Sequence, residues 1–248
     1  EVDARAGGTS SAKESCGIPQ LSSFLRRRYS PETFPLVHCC EQQYGIIHRL
    51  DAPSSGLILA GKNFLGYYTL RWQQDMYELG REYIVLCHGR MPFGSRVISA
   101  KIRTTKTEPA CSRVSADGKP AWTMVTPLCI MSRHGAEYSL VTVVIRTGRT
   151  HQIRVHLQHI GHPTVTDGRY CDATIYEADR TWCPRNFLHR FRLTFEDTLT
   201  VMHQAIVPLP DDLCKVMHTL RPSDDGQSPD MYLKLLGGWV PALSTSSL

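Results

Sequence analysis

The sequence predicts a mixed α/β fold, because segments with helical and strand periodicity alternate along most of its 248 residues. Val141-Thr-Val-Val-Ile145 is a β-branched run of the kind that strands favour. Phe64 to Leu79 instead repeats apolar residues at steps of three and four, the period of a helix. Phe187 to Phe195 alternates in the manner of an amphipathic strand. These patterns predict strands and helices in turn, but they do not name a fold.

Three segments follow from composition. Residues 1–18 are rich in Gly, Ser, Ala and charge, and we expect a flexible lead-in. The first residue is Glu1 and not Met, which predicts a fragment or a processed form. Residues 19–220 are expected to form one domain. Residues 221–248 are expected to be a loosely ordered tail in which Met231–Leu236 docks.

The elements are predicted in the following order. Pro19–Tyr29 is a short helix with a basic end, and Phe64–Leu79 is a helix that Gly80 caps. Arg81–Gly89 is a strand, and the basic residues 90–119 form an exposed hairpin or insertion suited to phosphate contact or simply to a solvated face. We expect the stripe on the second helix to face the core; it consists of Leu65, Tyr68, Trp72, Met76 and Leu79.

The second half of the chain continues this alternation. Ala121–Pro127 and Glu137–Arg146 are predicted strands, and a helix follows with Thr150 as its N-cap and Gly161 at its end. The strand Phe187–Phe195 and a helix over Asp211–Leu220 complete the domain. The last helix should turn four residues inward: Leu213, Val216, Met217 and Leu220.

Composition excludes several classes of protein. With 42% hydrophobic and 21% charged residues, the chain has an ordinary globular composition. No apolar run approaches the ~20 residues of a membrane span, so we expect a soluble protein without a membrane partner. The net charge of +5 is compatible with a polyanionic partner but too small to establish one.

Cysteine and histidine usage predicts free thiols and no metal. The nine cysteines include no Cys-x-x-Cys pair, and Cys39 and Cys40 are adjacent, which suits a reducing intracellular compartment such as cytoplasm, nucleus or mitochondrion. His156, His159 and His162 invite a metal interpretation. Their spacing does not match the usual helical pair, and no acidic residue accompanies them.

The stretch from Tyr44 to Lys62 has the pattern of a functional loop. Gly45-Ile-Ile47 leads in, and Leu57–Ala60 is predicted to lead out as a short buried strand. Between them lie His48, Arg49 and Asp51, followed by turn residues. A carboxylate beside a guanidinium and an imidazole, on a loop between buried segments, can present a reactive group. On spacing alone, a solvated turn with inert charges remains an alternative.

A second stretch adds a family resemblance. Thr147-Gly-Arg-Thr-His-Gln-Ile-Arg154 follows the loop with His48-Arg-Leu-Asp51, and together they resemble the RluA-type pseudouridine synthase family. That family pairs such a loop with such a loop and helix. Arg81–Gly89 is similar to its tyrosine-bearing strand, and Leu188–Phe195 to its late strand. Four matches in order, from about Leu21 to about Leu213, are more specific than any one of them.

The resemblance implies a fold and an activity. The fold would be pseudouridine synthase-like, an antiparallel-rich bent sheet with flanking helices and a central catalytic cleft. The activity would be isomerisation of uridine to pseudouridine in structured RNA. The expected substrate is rRNA or tRNA, and mRNA is a further candidate. The reaction involves no redox step and no group transfer, so no cofactor is implied. The partner would be RNA, and the protein would act as a monomer.

The resemblance also implies a set of site residues. Asp51 corresponds to the catalytic aspartate, Tyr83 to the tyrosine that stacks on the uracil, and Arg154 to the arginine that pairs with the aspartate and keeps it ionised. A core tyrosine and a helix-surface salt bridge are the structural alternatives for the last two. Because the uridine must leave its stack, further residues are implied in substrate binding. These are His48, Arg49, Thr150, His151, Gln152 and Leu188.

The chain also departs from the family pattern. Ser54 stands where the family usually has Thr, and Cys171 stands where it usually has Gly. A strand and a Lys-Pro loop that usually precede the first helix are not found. A kinase and a serine hydrolase are rejected, because their accompanying motifs are missing. The remaining rival is an RNA-binding or ribosome-associated structural protein of the same fold without turnover.

Overall fold

A computed structural model describes residues 20–105 and 110–223, and it confirms the mixed α/β class. The predicted lead-in and almost all of the predicted tail, with its docked segment, lie outside the described residues. The helices are α1 Leu21–Arg28, α2 Phe64–Asp75, α3 Gln152–His159, α4 Ala173–Arg180 and α5 Asp211–His218. The strands are β1 Ser55–Gly56, β2 Gly80–His88, β3 Arg96–Ile98, β4 Ile102–Thr104, β5 Ser112–Val114, β6 Thr123–Arg133, β7 Ala136–Ile145, β8 Leu188–Glu196, β9 Met202–Ile206 and β10 Arg221–Pro222.

The chain divides into two compact units. Of the described residues, the smaller comprises those within Glu1–Gly80 and Leu193–Ala205, and the larger comprises those within Arg81–Arg192 and Ile206–Leu248. The single domain expected over residues 19–220 stays a prediction. Within the described residues, no helix has both the length and the apolar character needed to cross a lipid bilayer.

The larger unit is built on an antiparallel sheet. Its neighbouring strands run β8, β2, β7, β6 and β10, and β3 also pairs with β6. β2 and β7 are paired antiparallel from Glu82 opposite Val144 to His88 opposite Tyr138. β4 and β5 form a separate antiparallel pair, which confirms a hairpin in the basic segment. α5 closes the core as predicted, with four buried residues: Leu213, Val216, Met217 and Leu220.

The smaller unit holds α1, α2 and the predicted functional loop. Its core consists of Leu36, Ile47, Tyr67 and Leu70. The prediction that the other stripe of α2 faces the core was wrong for four of its five residues, because Leu65, Tyr68, Trp72 and Met76 are 68%, 56%, 66% and 50% exposed.

The buried face of α2 includes the polar residue Gln73, whose side chain is hydrogen-bonded to the backbone of Glu196. The side chain of Gln73 donates to the carbonyl of Glu196 at 2.8 Å and accepts from its backbone N–H at 2.8 Å. This pair of bonds, together with Tyr67 and Leu70, fixes a face that apolar spacing alone does not select. Gly80 is also not the cap, because the helix ends at Asp75 and Gly80 opens β2.

Other local predictions also need correction. The strand expected over Leu57–Ala60 is absent, and only an isolated bridge joins Ala60 to Ile46. The N-cap of α3 is His151 and not Thr150, because the helix begins at Gln152 and His151 takes a left-handed conformation with φ 54°. β8 is not amphipathic, since its first six residues are all buried.

The base of the functional loop predicts a sensitive position. Gly45 has φ +78°, and a Cβ there would lie 2.3 Å from the carbonyl oxygen of Gly61. We expect Gly45→Ala to lower the free energy of unfolding by about 3 kcal/mol, because backbone strain and a steric clash add. The measurement is denaturant unfolding.

Gly135→Ala is the matched control. Gly135 has φ +81° but nothing within 4 Å of the added Cβ. This variant should lose only the backbone contribution, about 1 kcal/mol. Equal losses for the two variants would contradict the proposed clash.

Candidate active site

In the smaller unit, the predicted functional loop forms a tight turn at Asp51. The backbone carbonyl of Asp51 accepts hydrogen bonds from the N–H of Ser54 at 2.9 Å and from its hydroxyl at 2.7 Å. The loop base is buried at Ile47, whose N–H donates to the carbonyl of Leu59 at 3.0 Å. His48 and Asp51 are half-buried, and Arg49 is exposed. A fixed base thus carries an accessible carboxylate, imidazole and guanidinium on one short loop.

In the larger unit, Tyr83 is held by an arginine that the sequence interpretation missed. Tyr83 lies on β2 and is 4% exposed. Its phenolic oxygen accepts from Nε of Arg190 at 2.8 Å and also from Nη2 of the same guanidinium. The guanidinium carbon lies 5.0 Å from the ring centroid. The amphipathic alternation predicted for Phe187–Phe195 would place Arg190 on the solvent-facing side of the strand, but Arg190 is buried and orients the phenol.

Positive charge accumulates around this tyrosine. Arg81 is also buried, and it donates to the backbone carbonyl of Arg146. Its Nε has no hydrogen-bond partner among the residues that the structure describes. Burial lowers the pKa of Arg81, Tyr83 raises it, and the charge of Arg190 lowers it further. Buried cations of this kind favour an anionic group in their vicinity.

Arg154 is fixed by a buried carboxylate. Its Nε and Nη2 donate to the two oxygens of Asp167 at 2.7 and 2.6 Å. The exposed fractions of the two side chains are 5% and 0%, so Arg154 is not part of a surface salt bridge. Asp167 also accepts from the backbone N–H groups of Arg169 and Tyr170 and from the hydroxyl of Thr164. These bonds lower the pKa of Asp167 although burial alone would raise it.

An aromatic ring packs on the same arginine. The guanidinium of Arg154 lies over the ring of Tyr170 at 5.0 Å. The hydroxyl of Tyr170 accepts from the N–H of Ser112 at 3.0 Å and lies 2.8 Å from Nδ1 of His151. Burial raises the pKa of Tyr170 to about 12, so this hydroxyl is protonated at neutral pH. His151, predicted from its motif, therefore joins the network that holds Arg154.

The side chain of Gln152 makes four hydrogen bonds at the start of α3. Its amide nitrogen donates to the carbonyl of Trp122 and to the hydroxyl of Thr123, each at 2.9 Å. Its amide oxygen accepts from Thr147 at 2.7 Å and from the N–H of Arg149 at 3.0 Å. These four bonds fasten the start of α3. A contact of Gln152 with RNA stays a prediction.

The other predicted binding residues differ in exposure. Leu188 is 4% exposed at the start of β8. Thr150 is half-buried just before α3. Their contacts with a substrate stay predictions, as do the catalytic roles of Asp51, Tyr83 and Arg154.

Two of the three histidines weighed as metal ligands have other partners, and for His162 this is the carbonyl oxygen of His88, 2.9 Å from its Nδ1. The ring nitrogens of His156 lie 2.9 Å from the hydroxyl of Thr123 and 2.8 Å from the carbonyl oxygen of Ala100. Burial lowers the pKa of His156, which favours the neutral imidazole. Among the described residues, a different group has donor atoms close enough for a metal ion: His88, Cys171 and Asp179.

The comparisons with known proteins identify the family of the chain. The family model for RNA pseudouridylate synthase matches residues 38–159. Ribosomal large subunit pseudouridine synthase D of Neisseria meningitidis is 34% identical over 199 residues, which are 75% of this chain and 52% of the relative. The protein of the same name from Vibrio vulnificus is 33% identical over 79% of this chain and 63% of its own length. The chain thus spans between half and two thirds of these relatives.

A solved structure supports the same conclusion. Human RNA Pseudouridylate Synthase Domain Containing 1 superimposes with a TM-score of 0.64 and 27% identity, over 77% of this chain and 79% of that one. The chain therefore has a pseudouridine synthase fold. It belongs to the RluA-type pseudouridine synthase family.

The buried ion pair makes stability depend on pH. The folded pKa of Asp167 is lowered from 3.8, so the pair stabilises the fold above that value and the contribution is lost as pH falls through the folded pKa. We expect Asp167→Asn to cost about 3 kcal/mol at pH 7. The cost should shrink progressively below pH 3.8. Denaturant unfolding over a pH series measures this.

The control is Asp117→Asn. Asp117 is paired with Arg103 on the surface, where the side chains are 58% and 55% exposed. Solvent screens such a pair, so little change is expected at pH 7. A pH-independent cost for Asp167→Asn would mean that lost packing, and not the charge, is responsible.

Proposed function

We propose that this protein isomerises uridine to pseudouridine in structured RNA, with Asp51 as the catalytic carboxylate. The observation that carries the proposal is the family match over residues 38–159, which includes Asp51, Tyr83 and Arg154. Two curated relatives are named for the large ribosomal subunit, so rRNA is the first substrate class to test, before tRNA and mRNA.

The chemistry suits these residue types. The N1–C1′ bond breaks, the uracil turns, and a C5–C1′ bond forms. C5 then loses a proton to solvent or to a general base, and N1 gains a proton. There is no net oxidation and no group transfer, so no cofactor is implied. Asp51 supplies the carboxylate, and Arg154 is expected to keep it ionised. Tyr83 offers a flat ring to the uracil and a phenol whose direction Arg190 fixes.

RNA binding is proposed for the surrounding residues. Arg49 is expected to fill the space that the flipped base leaves, with His48 on the same loop. Leu188 is expected to pack under the uracil. Thr150, His151 and Gln152 complete the proposed binding set, and the basic segment 90–119 is a candidate for phosphate contact. A monomer is expected, without a membrane partner. The cysteines that the structure describes are free thiols, which supports a reducing intracellular compartment.

The test of catalysis is Asp51→Asn. Pseudouridine is mapped in RNA from cells that carry wild-type protein, this variant or Asp75→Asn at the exposed end of α2. Both substitutions remove one negative charge. Sites lost only with Asp51→Asn support catalysis and also identify the RNA. Identical maps at equal protein levels would instead favour the structural protein without turnover, which the names of the relatives do not favour.

The orientation of Tyr83 gives a second test. Arg190→Lys keeps the charge but cannot give the two-pronged hydrogen bond, so kcat should fall about tenfold with a smaller change in KM. Tyr83→Phe removes the acceptor. If Arg190 acts through the phenol, the double variant should be no slower than Tyr83→Phe alone.

Arg192→Lys is the neighbouring control on β8. Arg192 pairs with Glu82 and not with Tyr83. We expect its kcat to stay near that of the wild type. Additive losses for Arg190→Lys and Tyr83→Phe would show that Arg190 does not act through the phenol.

A further inference from the structure

We propose that His88, Cys171 and Asp179 form a binding site for a divalent transition-metal ion, with Zn²⁺ the best match. The three residues come from three parts of the larger unit: the end of β2, the segment before α4, and α4 itself. One donor atom from each lies within 4.8 Å of the other two. The inference revises the sequence expectation that the chain holds no metal, and it does not depend on the proposed activity.

The backbone around the site holds these donors in place. The buried Oδ2 of Asp179 accepts from the N–H of Thr166 at 2.8 Å and lies 2.8 Å from Nε2 of His88. Thr166 directs its N–H to this carboxylate from a left-handed conformation with φ 57°, which is strained for a β-branched residue. On the other side, the N–H of His88 donates to the carbonyl of Pro163 at 2.9 Å.

The third ligand is fastened as well. The N–H of Cys171 donates to the carbonyl of Asp167 at 3.1 Å. His88 and Cys171 are half-buried, while Asp179 is 2% exposed. Two ligands can therefore be reached from solvent, and the third is anchored below them.

The ligand set matches zinc chemistry. A thiolate, an imidazole and a carboxylate are the donors that Zn²⁺ takes in proteins, at bond lengths of about 2.0–2.3 Å. Tetrahedral bonds of these lengths separate ligand atoms by roughly 3.5 Å, so the observed spacing closes with small side-chain movements. The two anionic ligands balance the charge of the ion, and water can take the fourth position.

The geometry argues against a catalytic relay of the same residue types. In a relay, the imidazole lies between the nucleophile and the carboxylate, which bind to opposite ring nitrogens. Here the thiol and the carboxylate converge with one imidazole nitrogen. Three donor atoms that lie this close together can bind a single ion.

The site has a structural consequence. The segment from Thr166 to Cys171 also carries Asp167, the partner of Arg154, and Tyr170, which packs on Arg154. A metal bound at Cys171 would clamp this segment to β2 and α4. We therefore infer a structural role for the ion, since it orders the turn that positions Arg154.

The experiment uses the whole protein, stripped of metal with a chelator and then titrated with Zn²⁺ alone. Calorimetry and metal analysis after gel filtration should give one equivalent for the wild type. Cys171→Ser should bind at least tenfold more weakly. Cys214→Ser, a half-buried cysteine on α5, is the matched control and should bind like the wild type. Co²⁺ adds a spectroscopic check, because a cobalt–thiolate band should appear with the wild type and vanish with Cys171→Ser.

A second variant covers the case in which Cys171→Ser does not fold. His88→Gln keeps a polar side chain of similar size and leaves the thiol in place, and it should also lose the equivalent of Zn²⁺. Circular dichroism of the metal-free proteins shows whether each variant is folded. Retention of no metal by the wild type, or equal affinity in the wild type and a folded variant, would overturn the inference.

Discussion

The buried ion pair between Arg154 and Asp167 is the interaction on which the candidate site in the larger unit depends. Removing two charges from water costs several kcal/mol, and the cost is offset only when geometry and further hydrogen bonds are good. Both conditions are met, because the contact is bidentate and Thr164 and two backbone N–H groups satisfy the carboxylate. A side chain held in this way has one orientation. Catalysis by positioned charge requires that property more than it requires extra stability.

The surroundings of Tyr83 follow a different electrostatic rule. Arg154 has a carboxylate of its own, whereas Arg81 donates to a backbone carbonyl, a neutral acceptor, and its Nε has no hydrogen-bond partner among the described residues. Glu82 is nearby in sequence, but it pairs with Arg192. A buried guanidinium without a carboxylate partner is unfavourable for folding alone. Such a group is expected where the functional partner is a polyanion, and the proposed RNA substrate would supply that charge only when it is bound.

Part of this structure could be predicted from the sequence and part could not. α5 was predictable because its apolar periodicity matches one buried face, as at Leu213 and Val216, and β7 was predictable from its β-branched run. The buried face of α2 was not, because it is chosen by Gln73 and its bonds to a backbone far away in sequence. Arg190 was misassigned for a similar reason. The alternation of apolar and polar residues in β8 predicts that its arginines face the solvent. The burial of Arg190 becomes visible only when its contact with Tyr83, which is distant in sequence, is known.

The same limitation explains why the proposed metal ligands were not predicted from the sequence. Spacing rules detect ligands that are close in sequence, whereas His88, Cys171 and Asp179 meet through sheet pairing and a turn. The signal that sequence did contain was a cysteine at a position where the family usually has glycine. Glycine there would leave the turn to be held by the carbonyl of Asp167 and its neighbours alone. A thiol adds a side chain that can be bound, so the turn that orients Arg154 gains an attachment that the glycine-bearing form lacks.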